Sequence, residues 1–238
     1  MRDVHQIALG DFAATIERKD IRNIHLSVHP PDGAVRVSAP RHLSVDHLRA
    51  YVISKLDWIK QQRRQIQAQE RESPREFTER ESHYLWGKRY LLTLEEGSPG
   101  VELRPRKMIL SARTGSSQEK RESILEGWYR GELRREAESM VERWARTMGV
   151  EVKTVFIQRM KTKWGSCNPA RRTIRLNTEL AKKPKECLEY LVVHELAHLI
   201  EPTHNERFVS LMDHYLPAWR ERRQALNRLP VRHEQWRY

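Results

Sequence analysis

Leu191-Val192-Val193-His194-Glu195-Leu196-Ala197-His198, continued by Leu199-Ile200-Glu201-Pro202-Thr203-His204, is the stretch on which the reading of this chain turns. In a helix, His194 and His198 lie one turn apart on one face, where two imidazoles reach a single zinc ion. Glu195 points about a quarter-turn away, beside the water a zinc ion would activate, where a general base must stand. The apolar residues Leu188, Leu191, Val192, Leu196, Leu199 and Ile200 recur at helical spacing, and Pro184 suits a first turn. Pro202 disfavours helix at Glu201. Thr203 and Glu206 are spaced as a capping box, so a new helix is expected to begin at His204 or Asn205. That turn can swing His204 back as a third ligand, and three protein ligands with one open position make a catalytic zinc site. Satisfied core histidines are the bland alternative. The third histidine, the apolar helix and the sharp turn weigh against it.

Downstream, Phe208, Leu211, Met212 and Tyr215 share a helical face that should buttress the zinc helix. Pro217 should end that helix and open another carrying Trp219, Arg220, Arg223 and Leu226. His214 and His233 read as surface residues.

Upstream, Val152, Val155 and Ile157 suggest a strand, with Ile174 and Leu176 in its partner. Between them runs Arg159-Met160-Lys161-Thr162-Lys163-Trp164-Gly165-Ser166-Cys167-Asn168-Pro169. A sheet edge beside a zinc helix can hold an extended substrate by main-chain hydrogen bonds, while polar groups meet developing negative charge. Arg159, Lys161, Lys163, Trp164, Ser166 and Asn177 are therefore the candidate substrate-binding residues, with Lys161, Lys163, Ser166 or Asn177 as oxyanion donor. A tight hairpin with Trp164 packed on the core is the structural alternative. Cys167 has no histidine near it in sequence and reads as a buried, inert thiol.

Further back, Ile124, Leu125, Trp128, Leu133, Ala137, Met140, Val141, Trp144 and Met148 mark a long helix capped by Gly149. The Thr114–Gln118 loop before it divides the chain into 1–116 and 117–238. In the first part, Ile24, Leu26 and Val28 alternate, turn at Pro30-Pro31-Asp32-Gly33, and resume at Val35, Val37 and Ala39 as a hairpin. Ser44 should cap one helix through Leu48, Val52, Leu56 and Ile59, continued as a charged extension or linker from Gln61 to Arg80. Short strands near Tyr84–Trp86, Tyr90–Leu94, Val101–Leu103 and Met108–Leu110 are expected to join the hairpin in one sheet. No internal repeat is evident.

At 238 residues and 38% hydrophobic, the chain can bury a core in one large domain or two small ones. Lys+Arg 44 against Asp+Glu 32, a net +12, favours an anionic partner such as nucleic acid or nucleotide, or merely keeps the protein soluble. Two cysteines exclude a disulfide framework. No signal peptide or membrane-length apolar run is evident, so a cytoplasmic location without a membrane partner is expected.

Taken together, Arg159, the Lys161-to-Cys167 run, Ile174-Arg175-Leu176-Asn177 and His194 to His198 resemble the YgjP-like, or SprT-like, family of zincin metallopeptidases. The resemblance extends over most of the chain, including the hairpin, the Ser44 helix and Leu85–Tyr90. It implies an α+β protein: an N-terminal antiparallel β-sheet with helices, joined to a zincin-like helical C-terminal half whose short sheet carries the zinc helix. His194, His198 and His204 would be the Zn2+ ligands, Glu195 the base and a polypeptide the substrate. Where the wider metzincin pattern has a turn-forming glycine, this chain has Glu201 and then Pro202, so Glu201 or Glu206 could compete with His204. A nucleotide pyrophosphatase, with Arg159, Lys161 and Lys163 clamping phosphates, is the enzymatic alternative. A nucleic-acid-binding module that keeps zinc for stability is the non-enzymatic one, and Glu195 argues against it.

Overall fold

The computed structural model describes residues 4–10, 12–29, 33–68, 75–160 and 163–229. They form two compact units, Met1–Glu72 and Ser73–Leu229. Each has its own apolar core.

The first unit contains β1 (Val4–Leu9), β2 (Phe12–Lys19), β3 (His25–His29) and β4 (Ala34–Pro40), then helices α1 (Val45–Ser54) and α2 (Leu56–Ala68). The sheet order is β1-β2-β4-β3, with β2 and β4 parallel and the outer pairs antiparallel. The expected hairpin is β3–β4, although its Pro30-Pro31-Asp32 turn lies outside the described residues. β1 and β2 were not anticipated, yet Ile7, Ala14 and Ile16 are buried at alternating positions beside Val35, Val37 and Ala39. Ser44 caps α1 by accepting from His47 N–H, as expected. The single helix of the sequence reading is two, because the chain breaks at Lys55.

The second unit opens with β5 (Ser82–Leu85), β6 (Lys88–Glu96), β7 (Gly100–Arg104) and β8 (Lys107–Ala112), in the order β5-β6-β8-β7 with β6 and β8 parallel. These strands do not join the first sheet: they form their own, in the unit that carries the histidines. The division into units thus precedes β5, whereas the Thr114–Gln118 loop lies inside the second unit. The cause is local. Trp86 and Gly87, both at positive φ, make the tight β5–β6 turn, and their N–H groups donate to Ala181 O (2.8 Å) and Lys182 O (3.3 Å). A side chain at Gly87 would meet Pro184 Cγ at 3.0 Å. The turn is therefore moulded onto the segment that starts the histidine helix.

Beyond Ser117, whose hydroxyl caps it, α3 (Gln118–Met148) runs to Gly149 in the left-handed conformation. β9 (Thr154–Gln158), β10 (Gly165–Asn168) and β11 (Thr173–Asn177) follow, then a 3₁₀ turn (Thr178–Lys182), α4 (Lys185–Ile200), α5 (Glu206–Tyr215) and α6 (Trp219–Arg228). The sheet order β10-β11-β9 leaves β10 at an edge. β9 and β11 are neighbours as expected but parallel, and the hairpin is β10–β11. Pro184 occupies the N-cap of α4, one residue before the expected position. Glu189 on α4 accepts from Arg143 (2.7 Å) and Trp144 (3.1 Å) of α3 and from Arg222 of α6, fastening the three helices. Among the described residues, no helix is long and apolar enough to cross a membrane.

Candidate metal centre

α4 places His194 and His198 one turn apart, and the chain then turns through Glu201–Thr203 to bring His204 back to them. One ring nitrogen from each of the three lies within 4.8 Å of the others. His194 Nε2 and His204 Nε2 are 3.2 Å apart. Two ligands of one tetrahedral zinc, each about 2.0–2.1 Å from it, would stand about 3.3 Å apart. The residues fit a zinc ion.

Protonation favours the same use. Burial, reinforced by the neighbouring His198, His204 and Arg223, pulls the His194 pKa down to about 3. Burial also lowers that of His198. Both are thus neutral imidazoles at physiological pH, the form that binds metal. His198 Nδ1 lies 3.2 Å from Glu201 O; a carbonyl only accepts, so Nδ1 carries the hydrogen and Nε2 keeps its lone pair. His194 Nδ1 is buried without a protein partner among the described residues.

Phe208 braces all three rings from α5, with centroids 5.0 Å from His194 and 4.7 Å from both His198 and His204. The sequence reading put Phe208 on the packing face of its helix but did not connect it with the ligands. Its register comes from Asn205, whose Oδ1 caps α5 by accepting from Phe208 N–H (3.0 Å). This replaces the expected Thr203–Glu206 capping box: Thr203 instead donates from N–H and Oγ1 to the Glu201 carboxylate, at 3.2 and 2.8 Å. Glu201 is thereby engaged in the turn, and it is His204 that joins the cluster.

Glu195 is 4% exposed, and burial raises its pKa to about 8 against the opposing pull of Lys163. A bound cation nearby would draw that value back down. The carboxylate lies against β10 so closely that a Cβ on Gly165 would come 2.7 Å from Glu195 Oε1. Gly165 is the strand residue whose bare Cα makes room for the carboxylate.

The six candidate substrate residues separate. Lys163 is exposed and its charge acts on Glu195. Trp164 is half-buried against the core, as the structural alternative held. Since Gly165 faces Glu195, strand alternation sends Ser166 out of the opposite face, in register with Arg175 and Phe156. Arg159 pairs with Glu126 at 3.5 Å. Asn177 is buried, and its carboxamide bonds the chain's own backbone. Lys161 lies outside the described residues. Cys167 and Cys187 are free, with pKa values pushed up to about 12 and 11, chiefly by burial, so neither is a ready nucleophile.

A family model described as YgjP-like, metallopeptidase domain matches residues 22–229. No curated protein sequence matches. Among solved structures, the metallopeptidase zymogen of Pyrococcus abyssi abylysin is 23% identical with a TM-score of 0.36, covering 38% of this chain and 90% of that one. The metallopeptidase zymogen of Methanocaldococcus jannaschii jannalysin is likewise 23% identical, with a TM-score of 0.35 over 38% of this chain and 92% of that one.

Proposed function

The chain belongs to the YgjP-like metallopeptidase family, and from that premise we propose that it is a zinc peptidase in which His194, His198 and His204 hold the metal and Glu195 is the general base. The observation that carries this reading is the convergence of three imidazoles, with the buried carboxylate of the residue after His194 lying against edge strand β10. Zinc, when bound, supplies Lewis acidity that activates water near neutral pH and polarises a carbonyl.

The chain's own residues supply the rest. An extended peptide would lie along β10, the edge strand of its sheet among the described residues. Glu195 would take the proton of the attacking water and return it to the leaving amine. Lys163 would offer positive charge to the negative charge that develops on the carbonyl oxygen. The family match points to peptide bonds and leaves the nucleotide and nucleic-acid alternatives without support.

The test is metal analysis with peptide hydrolysis on the wild type, Glu195→Gln and His194→Ala. Glu195→Gln should retain one zinc per chain and lose turnover by about 10²–10⁴-fold, whereas His194→Ala should lose the metal as well. Turnover unchanged in Glu195→Gln would remove the base, and a metal-free wild type inert to added zinc would remove the centre.

A further inference from the structure

Asn177 stands at the end of β11, where the 3₁₀ turn leading to α4 begins. It is 5% exposed. Its Nδ2 donates to Met160 O at 2.8 Å and to Lys163 O at 2.9 Å, each one residue inside an end of the loop between β9 and β10. Its Oδ1 accepts from Glu179 N–H at 3.2 Å, capping the 3₁₀ turn, and from Met160 N–H at 3.4 Å. Its backbone N–H donates to Trp164 O at 2.8 Å. Two carbonyls need the amide NH₂ and two N–H groups need its oxygen, so the orientation of the carboxamide follows from the partners alone. Both amide hydrogens are used, and none is left for a substrate.

The residues so gripped lead directly into the site. Lys163 is the cation acting on Glu195, and Gly165, two residues on, is where β10 touches the Glu195 carboxylate. One buried amide thus bridges a loop that leads into the strand touching the proposed base. A cap for a five-residue 3₁₀ turn needs only an acceptor, which aspartate or serine would supply equally well. The two donated bonds are what asparagine adds.

We infer that Asn177 is a positioning residue, whose carboxamide clamps Met160 and Lys163 so that strand β10, which follows them, is held against Glu195. This rests on the peptidase reading for its catalytic consequence, though not for the clamp itself. Asn177 acts through the backbone of its neighbours and touches no substrate.

Asn177→Asp separates the two roles. It keeps an acceptor for Glu179 N–H but turns an oxygen toward two carbonyls that now lack donors. The full-length, zinc-loaded protein should be compared as wild type, Asn177→Asp and Asn177→Ala, by hydrogen–deuterium exchange and by peptide hydrolysis normalised to bound metal. In Asn177→Asp, exchange should rise in peptides spanning residues 158–168 while α4 stays protected, and turnover per zinc should fall about a hundredfold, the penalty of an ångström-scale misplacement. KM should stay within about threefold, since the free edge of β10 remains. Wild-type exchange and turnover in Asn177→Asp, with only Asn177→Ala impaired, would reduce Asn177 to a cap and overturn the proposal. Exchange rising throughout the second unit, or a loosened loop with unchanged turnover, would overturn it too. If the wild type cleaves no peptide, the peptidase reading falls alone, and local exchange still decides whether the clamp exists.

Discussion

Gly165 shows how one missing atom can set a site. An added Cβ would lie 2.7 Å from Glu195 Oε1, 3.1 Å from Leu191 Cδ2 and 3.2 Å from Arg175 O. The first two neighbours are side-chain ends that can retreat; the third is backbone and cannot. Gly165→Ala should therefore cost about 1–3 kcal/mol of stability, the usual overpacking penalty, while displacing the carboxylate and reducing kcat at least about tenfold. Denaturant titration alongside steady-state kinetics checks both, and wild-type kcat would show that Glu195 does not need its observed position. At this scale the clustering of the three histidines was legible: helical spacing converts sequence distance into direction for His194 and His198, and Pro202 announces the turn that returns His204. Phe208 and Asn177 were not. Their roles depend on which ring or loop packs against them, and a side chain's partners across the fold leave no local periodicity.

At the scale of elements, helices were read more faithfully than strands. α3 ends at Gly149 and α1 starts after Ser44 because caps are chemical signals confined to a few residues. Alternation in β9 and β11 revealed faces but not neighbours or direction, so their parallel pairing was invisible. β1 and β2 escaped notice, since small or polar residues such as Ala14 and Thr15 dilute an alternation that burial makes plain. Of the expected charged extension or linker from Gln61 to Arg80, the part through Ala68 is helical, and the end before β5 holds an acid-sensitive knot. The Glu81 carboxylate accepts from Glu76 N–H (3.0 Å), Phe77 N–H (2.8 Å) and His83 Nε2–H (3.0 Å), and His83 is 3% exposed. Burial holds the pKa of His83 below its usual value, with Glu81 opposing. The unfolded chain therefore takes up this proton first as pH falls. The contribution of His83 is complete above about pH 6.5 and lost progressively below it. Thermal midpoints measured between pH 7.5 and 5 should fall, and His83→Gln, which can keep the bond to Glu81, should fall less steeply. Equal slopes would exclude His83 as a source.

At the scale of the molecule, the two four-stranded sheets share one topology, an antiparallel pair on each side of a parallel central contact. No repeat was visible in the sequence, because strand order is set by pairing rather than by residue identity. Separate cores within the two units predict that Ser73–Leu229 alone unfolds cooperatively and binds zinc. Circular dichroism melting and metal titration of that fragment check this, and a non-cooperative melt would show that its core is completed from elsewhere. A fragment starting at residue 117 should fail the same assays, since Leu85, Leu92, Met108 and Leu110 belong to the core that also contains Leu191 and Leu196.

The turn at Trp86-Gly87 carries that last expectation further. Stripped of it, the carbonyls of Ala181 and Lys182 and the ring of Pro184 would be left bare at the foot of the helix that carries His194 and His198. The sheet is thus foundation rather than appendage: any graft of this histidine cluster onto another scaffold must bring β5 and β6 along, or rebuild the ground they provide.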